Sequence, residues 1–389
     1  MANTLTNLIP VLYQGLDIVQ RELVGFIPAV AKDVKADAAA VGQTITTSIT
    51  PAASTGDITP GQLPPDDGDQ TLSTISMSIT KSKYAPIRWS GEELRGFLNA
   101  GSPESRAAAQ DALSKQFAQA MRALTNLVET DLALAAYAGA SRAYGTAGAT
   151  PFATSVDLTD LAQTRKILED NGCPMTDCQM ILNTSSAANL RGKQSGLFKV
   201  NESGTDSMLR NGSIGKLEGF NMGLSAQLKL VAKGTGAAYT TTAAGFAIGA
   251  TSIPIITGAG TVLAGDVVTF AGDTNKYVVA TGVAAPGTIV LNAPGLQQAI
   301  PAAATAMTIG AAFTPNVAFH MDAIKLLARS PAMPDGGDDA DDVTFITDPI
   351  SGITFQVAVY KLYRRVKYEI GLAWGVKAIK PELIATLLG

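Results

Sequence analysis

The stretch "SPESRAAAQDALSKQFAQAMRALTNLVETDLALAAYAGA" constrains the fold more than any other part of the chain. It opens with Ser102 at a position that favours a helix cap, followed by Pro103 and Glu104 in the first turn. A stripe of leucine, alanine and phenylalanine at helical spacing then runs as far as Gly139. These signals predict a helix of about 36 residues, which is about 54 Å long at about 1.5 Å per residue. Because no second helix of that length is evident, the pattern favours the backbone of a flat, elongated subunit over a compact bundle.

Length and composition predict a multidomain globular protein. At 389 residues the chain is longer than one core needs, so we expect two or three domains. Hydrophobic residues make up 46% of the chain and charged residues 16%. The formal net charge of −4 argues against sequence-independent affinity for DNA. The first residues lack a signal-peptide pattern and no apolar run is long enough to span a membrane, so we expect folding in a cytoplasm.

Two elements before the long helix present apolar faces that one subunit has no obvious means to cover. Residues 6–30 are typical of an amphipathic helical arm. Residues 43–90 predict an extended β-hairpin with a long polar tip, and an isolated hairpin is barely stable in water. Both elements therefore need a partner surface. We expect intersubunit contacts from Leu12, Leu16 and Leu23 on the arm and from Ile75, Met77 and Ile79 on the hairpin.

The second half of the chain predicts an α/β segment, an all-β domain and closing strands. Residues 157–171 predict a helix, "CQMILNTSSAANLRG" a strand and a helix capped by Asn183 or Ser185, and "LSAQLKLV" another strand. Residues 232–311 hold only four charged residues among short β-type runs, which is typical of a small barrel or sandwich. The strand-like flanks "LKLVAKG" and "FTPNVAFH" indicate that this domain interrupts a surface loop.

The glycine-rich stretch "NGSIGKLEGFNMGLSAQL" allows two interpretations. Its glycines, from Gly212 to Gly223, can cradle a phosphate with backbone amides or can make tight turns. The stretch lacks both the Gly-Lys-[Ser/Thr] ending of a P-loop and the G-x-G-x-x-G pattern between a strand and a helix. We therefore interpret Gly215, Gly219 and Gly223 as structural turn residues and expect no cofactor.

Residue types that carry catalysis or bind metal are sparse. The single histidine, His320, lies in the apolar run "NVAFHM", where a packed residue is more common than a catalytic one. Cys173 and Cys178 lack the second pair that a zinc site needs, so we expect reduced thiols. These residues therefore predict no enzyme and no metal site of their own.

The acidic loop "PDGGDDADD" leaves three interpretations open. Its carboxylates can stand solvated, which is the simplest case, or can pair with a basic surface of another subunit. A metal site is the third, although the spacing does not match an EF-hand. The pairing hypothesis names Asp338, Asp339, Asp341 and Asp342 as the acidic group and Lys361, Arg364, Arg365 and Lys367 as basic partners.

The order of these elements resembles that of the major capsid (coat) proteins of tailed double-stranded DNA bacteriophages. "GKLEGFNM" is similar to a recurrent glycine turn of that family, and "VLAGDVVTFAGDTNKYVV" is similar to the pattern of an insertion found in coat proteins of the Salmonella podovirus type, at Gly265, Asp266 and Gly272. The resemblance implies an α+β, Hong Kong 97-type phage capsid fold with an inserted small all-β barrel. The expected divisions are an N-terminal arm (1–42), an extended hairpin loop (43–90), a peripheral domain with the spine helix (91–155), an axial domain (156–231), the insertion (232–311) and the remaining axial and peripheral parts (312–389).

The resemblance also implies a function. It predicts a structural protein that self-assembles as hexamers and pentamers into an icosahedral shell around phage double-stranded DNA. The expected partners are other copies of the chain, a scaffolding protein, a portal and the packaged DNA, contacted non-specifically and without a membrane. The expected location is the virion, after procapsid assembly in the host bacterial cytoplasm. One alternative is a surface or extracellular protein whose β insertion recognises a glycan, and another is an enzyme with a nucleotide substrate.

Overall fold

The structure, a computed structural model, describes residues 25–49, 73–93, 103–154, 157–192, 214–334, 337–348 and 352–389, together with residues 55, 57, 58 and 60. The longer helices are α1 (Pro103–Ala138), α2 (Thr159–Asp170) and α3 (Thr184–Gly192). The strands are β1 (Ala31–Ala39), β2 (Thr44–Ile49), β3 (Ser73–Ser78), β4 (Lys81–Ser90), β5 (Arg142–Tyr144), β6 (Cys178–Leu182), β7 (Lys216–Leu217), β8 (Phe220–Leu224), β9 (Tyr239–Thr241), β10 (Ser252–Ile256), β11 (Val267–Phe270), β12 (Lys276–Thr281), β13 (Gly287–Leu291), β14 (Ala306–Ile309), β15 (Pro315–His320), β16 (Ile324–Pro331), β17 (Asp342–Thr347), β18 (Thr354–Leu362), β19 (Arg365–Ala378) and β20 (Ile384–Leu388). Short 3-10 turns cover Ile27–Ala29, Met321–Ala323 and Pro381–Leu383.

Helix α1 has the 36 residues that the sequence predicts. Its apolar stripe faces the sheets and is buried at Phe117, Met121, Leu124, Val128 and Leu132. The helix ends where it meets another element: a side chain on Gly139 would lie 2.5 Å from Cβ of Ala378, the last residue of β19. A bare backbone is therefore needed where the helix leaves this contact. The predicted cap residue Ser102 lies outside the described residues.

Strand β19 is the centre of a six-stranded sheet that packs under α1. Along one edge it pairs with β4, from Arg365 opposite Ser90 to Trp374 opposite Lys81. Along the other edge it pairs first with β18 and then with β16. Strand β1 extends the sheet by lying parallel to β16, and β17 extends it beside β18. The sheet therefore draws on segments from the beginning and the end of the chain.

The hairpin is shorter than the sequence predicts. Strands β2 and β3 pair antiparallel as a separate two-stranded sheet, with Ile45 opposite Met77. The continuation that was expected to belong to the hairpin, β4, lies instead in the six-stranded sheet. The chain changes sheets at Ile79 and Thr80, because Ile79 N–H donates to Gln43 and Thr80 N–H donates to the carbonyl of Trp374.

A second group of strands forms the other half of the body, in the order β5-β20-β15-β6-β8-β7. Helix α2 is confirmed at Thr159–Asp170, and α3 follows β6 as predicted. Asn183 is the cap: its side-chain oxygen accepts the N–H of Ser186 at 2.7 Å. The strand expected over "LSAQLKLV" is wrong beyond Leu224: Ser225 N–H makes a last hydrogen bond to Leu182 O of β6, and the chain then leaves the sheet in a turn.

The strands β9 to β14 close into a barrel, in the order β11-β14-β9-β10-β13-β12 with β12 pairing back to β11. The barrel has a core of its own, which includes Tyr239, Ile253, Val268, Ile289 and Leu291. The chain enters and leaves it side by side, since Val231 N–H donates to Phe313 O at 2.8 Å. The barrel is joined to the body through β12, which also pairs with β5, and through Asn292, whose side-chain amide donates to the carbonyls of Ala138 and Ala140 at 2.8 Å.

Candidate assembly surfaces

The point where the N-terminal segment enters the body is held by one buried carboxylate, Glu129 on α1. Its Oε1 accepts the backbone N–H groups of Gly25 and Phe26, each at 2.8 Å, and its Oε2 accepts that of Ile27 at 3.2 Å. Phe26 in turn stacks on Phe319 with ring centroids 5.8 Å apart. A single side chain thus satisfies three donors that would otherwise be buried without a partner. We call Glu129 with residues 25–27 the arm root.

The arm root is a buried place for a charge. Burial raises the pKa of the Glu129 carboxyl, and the hydrogen bonds from Phe26, Ser225, Gly25 and Ile27 oppose that shift. The sequence prediction missed this residue. The available signal was a glutamate beside Val128 within the apolar stripe of the long helix, where burial of an acid requires a specific set of donors.

The start of β4, directly after the hairpin, is fixed to the body by Asp131, two residues after Glu129 on α1. One carboxylate oxygen accepts Lys81 Nζ at 2.7 Å, and the other accepts the indole N–H of the fully buried Trp374 at 2.8 Å. Lys377 Nζ also donates to the carbonyl of Ser76 on β3 at 2.9 Å. The hairpin therefore leaves the body from a fixed base rather than from a loose loop.

The structure separates the hairpin residues that were predicted to contact neighbours. Met77 packs with Leu327 and Ile379, and Ile79 packs with Ala39 and Ala373, so both side chains are buried inside their own subunit. Neither offers a free surface to a neighbour, because the crossing between sheets places them against β16 and β19. Ile75 is only half-buried beside the Met77 cluster, and its intersubunit role stays a prediction. Leu12, Leu16 and Leu23 lie outside the described residues.

Several large apolar side chains are exposed, and the two most exposed are Ile58 and Tyr363. Ile58, in the segment between β2 and β3, is 97% exposed. Tyr363, at the tip of the turn between β18 and β19, is 87% exposed, and Leu362, Phe345 and Tyr84 expose about half of their surface on the same sheet. Contiguous apolar patches mark interaction sites, so Tyr363 and its neighbours on this sheet are candidates for contact with another subunit.

The acidic loop finds partners within its own subunit. Asp341 forms an ion pair with Lys361 at 3.0 Å. Asp338 accepts the hydroxyl of Tyr360 at 2.7 Å, and this hydrogen bond lowers the pKa of the Asp338 carboxyl. Strand pairing brings these groups together, since β17 lies antiparallel to β18 with Asp342 opposite Val359. Among the described residues no group of three or more metal-ligating side chains is present.

The remaining charged residues of the pairing hypothesis are placed around the same sheet. Asp339 is exposed in the loop, and Asp342 is half-buried at the start of β17. Arg365 begins β19, and the guanidinium of Arg364 lies over the ring of Tyr363, 5.6 Å from its centroid. Lys367 Nζ lies over the rings of Tyr84 and Tyr360, at 4.8 and 5.4 Å from their centroids. A role for these charges between subunits stays a prediction.

Two of the three glycines predicted as turn residues in the glycine-rich stretch lie in turns, and the third does not. The pair Lys216–Leu217 and the strand Phe220–Leu224 form a tight hairpin whose central residues, Glu218 and Gly219, have φ of 49° and 86°. Gly215 precedes it with φ of 66°. Gly223, in contrast, lies within β8, where an added Cβ would meet Ile181 Cδ1 at 2.5 Å. Its small size serves close packing of β8 on β6. Gly212 lies outside the described residues.

The insertion motif has a structural basis. Asp266 is 3% exposed, and its carboxylate accepts the N–H of Leu263 at 2.7 Å and that of Gly234 at 3.1 Å. It therefore ties the turn before β11 to the segment that enters the barrel. Gly265, with φ of 89°, adjoins it at a point where an added Cβ would lie 3.1 Å from Tyr137 on α1. Gly272, with φ of 88°, lies in the turn between β11 and β12. Both are turn residues, as predicted.

The residues that the sequence analysis considered for catalysis or zinc binding are His320, Cys173 and Cys178, and the structure places them in a helix cap and in the core. The Nδ1 atom of His320 accepts the N–H of Asp322 at 3.2 Å and caps a 3-10 turn. Cys173 and Cys178 are buried free thiols. The hydrogen bond between them raises the pKa of the Cys173 thiol and lowers that of Cys178. Among the described residues, none of the helices has the length and hydrophobicity to cross a membrane.

The comparisons with known proteins concern the fold. No family model matches the chain, and no curated protein sequence matches it. The solved capsid asymmetric unit of cyanophage A-1(L) superposes with a TM-score of 0.50 at 10% identity, over 94% of this chain and 92% of that chain. The capsid of cyanophage P-SCSP1u gives 0.49 at 11% identity, over 92% and 86%. A structure from Mycobacterium phage Che8 gives 0.45 at 14% identity, over 89% and 84%.

The likeness to the cyanophage A-1(L) structure extends over nearly the full length of both chains. The chain therefore has a mixed α and β fold of the phage capsid kind. At 10% identity this likeness establishes the architecture and no residue-level role.

Proposed function

We propose that this chain is the major capsid protein of a tailed phage and that it assembles as hexamers and pentamers into an icosahedral shell around double-stranded DNA. The observation that carries the proposal is the end-to-end likeness to the cyanophage A-1(L) capsid asymmetric unit. The likeness favours the shell over the glycan-binding alternative and over an enzyme with a nucleotide substrate. In this proposal the protein is structural, matures from a procapsid built with a scaffolding protein and a portal, and contacts the DNA without sequence specificity. It assembles in the host bacterial cytoplasm and resides in the virion.

The finer architecture belongs to the same proposal. Helix α1 would be the spine of a Hong Kong 97-type fold, the β2–β3 hairpin its extended loop, and the barrel an insertion of the Salmonella podovirus type. Support comes from the fixed base of the hairpin at Asp131 and from the exposed side chain of Ile58 beyond it. A two-stranded hairpin is marginally stable alone, so contact with a neighbouring subunit would stabilise it.

The arm gives a test of assembly that leaves folding intact. Residues 1–24 precede the arm root, whereas Phe26, Ile27 and Val30 are buried in the core. Deleting residues 1–24 should therefore keep the subunit folded but prevent closed shells, and deleting residues 1–30 should unfold it. Negative-stain electron microscopy of each variant, expressed with a scaffolding protein, distinguishes the cases, with circular dichroism as the control for folding.

Two results would contradict different parts of this proposal. Normal closed shells from the 1–24 deletion would show that assembly does not need the arm, but they would not contradict the capsid function. The capsid function itself would be contradicted if the full-length chain stayed monomeric with a scaffolding protein present, at concentrations where shells of comparable proteins form.

A further inference from the structure

A polar cavity lies where the barrel meets the body of the subunit. It has a volume of about 350 Å³ and is lined by β5 and the residues after it, by one face of α2, and by the residues that lead into β12. Ligand sites in proteins range from about 300 to 1,000 Å³, so the cavity is large enough for a small ligand. Its charged lining consists of Arg142, Lys166, Lys276 and Asp170. We call this the junction cavity.

Arg142 is buried in the wall of the junction cavity with its hydrogen bonds incomplete. The residue is 5% exposed, and its Nη2 donates to Ile167 O, Asp170 Oδ2 and Asn171 Oδ1 at 3.2 to 3.4 Å. Its Nη1 donates to Asn275 at 3.3 Å. Its Nε has no acceptor among the described residues. A buried guanidinium normally satisfies all its donors, because an unpaired charged donor is costly to remove from water.

The charge around the cavity does not balance. Three cationic side chains line it and one carboxylate, Asp170, opposes them. That carboxylate is 3.4 Å from Arg142 and is itself 41% exposed. Lys276 donates to the carbonyl of Gly145, a neutral partner, and burial lowers the pKa of its ammonium group. An anion between the three cations would supply the negative charge that this wall lacks.

We propose that the junction cavity binds an oxyanion of the phosphate class, held by Arg142 together with Lys166 and Lys276. A guanidinium and ammonium groups together suit a tetrahedral oxyanion, because the guanidinium offers directed donors and the lysines add point charges. This inference is independent of the shell function. The bound group is either a free phosphate or a phosphodiester of nucleic acid, which present the same chemistry to these side chains.

Titration of the full-length protein with inorganic phosphate tests the proposal by calorimetry. The wild type should bind phosphate saturably. Lys276→Met and Lys166→Met should each weaken binding about tenfold, which is about 1.4 kcal/mol at 25 °C. Lys166 is exposed on α2, so its variant keeps the fold even if that of Lys276 does not. Lys229→Met, which removes the same charge from an exposed site outside the cavity, is the matched control and should bind as the wild type does.

A substitution at Asp170 tests the charge balance of the cavity in the opposite direction. Asp170→Asn removes the one opposing carboxylate and should tighten phosphate binding several-fold. A short DNA duplex that displaces phosphate would identify the nucleic acid backbone as the source. Saturable phosphate binding that DNA leaves unchanged would identify the free anion. The proposal is overturned if phosphate does not bind saturably in the millimolar range, or if the Lys166 variant and the Lys229 control bind equally.

Discussion

Replacing Glu129 by alanine removes the acceptor that holds the arm root. Three buried backbone N–H groups, those of Gly25, Phe26 and Ile27, then lose their partner. Each unsatisfied buried donor costs about 1–3 kcal/mol. Water that enters the vacated space and the relief of carboxylate burial offset part of the sum. We therefore expect a loss of about 3–5 kcal/mol, which is a large share of the about 5–15 kcal/mol that stabilises a typical domain.

Urea denaturation of the dispersed subunit, followed by tryptophan fluorescence, measures this loss. Glu169→Ala is the matched control, because Glu169 is an exposed carboxylate on α2 that pairs with Arg165 four residues earlier. Exposed pairs of that kind contribute at most about 1 kcal/mol. A loss for Glu129→Ala that is no larger than the loss for the control would refute the reasoning, since it would show that the carboxylate does not hold residues 25–27.

The same residue predicts a dependence on pH. Burial raises the pKa of the Glu129 carboxyl in the folded chain, so the folded state binds this proton more tightly than the unfolded state. Its contribution to stability is therefore complete below the unfolded pKa of about 4.3 and declines as the pH rises through the folded pKa. Glu129→Gln cannot titrate, so the stability of the wild type relative to this variant should fall with rising pH. A difference that stays constant between acidic and neutral pH would contradict the assigned shift.

Three further substitutions have defined outcomes. Gly219→Ala places a side chain in a left-handed turn, with φ of 86°, and should lower the free energy of unfolding in urea by about 1–2 kcal/mol. Gly192→Ala is the control, because an added side chain there meets open space, and it should lower the free energy of unfolding by less. Asp266→Ala leaves two backbone donors unpaired, so hydrogen exchange should rise across the barrel more than across α1; uniform exchange would contradict this. Lys361→Ala breaks an exposed ion pair and should change subunit stability by at most about 1 kcal/mol, so a larger loss would show that the acidic loop is structurally required.

Local patterns made the helices predictable from the sequence. The 36-residue helix could be predicted because its apolar spacing and the residues that mark its ends lie within or next to the segment itself. The same holds for α2, for the cap at Asn183 and for the short-strand pattern of the barrel. Each of these depends on residues a few positions apart, and such interactions do not need the rest of the fold.

Strand partners were less predictable, because pairing depends on distant parts of the chain. Strand β4 has the composition of a hairpin strand, yet it pairs with β19, almost 300 residues later in the sequence. That choice buries Met77 and Ile79 inside the subunit and removes them from the predicted contact surface. The residue types of a segment indicate only that it forms a strand. The strand with which it pairs depends on which sheet edge is available in the folded protein.

The sequence by itself determined the long helix, the glycine turn at Glu218 and Gly219, and the β-rich segment, since these follow from periodicity and from local backbone preferences. Only the tertiary structure decided the roles of Glu129 and Arg142. An acid or a guanidinium acquires its function from the donors and acceptors that folding brings to it from more than twenty residues away, and those partners follow no sequence period.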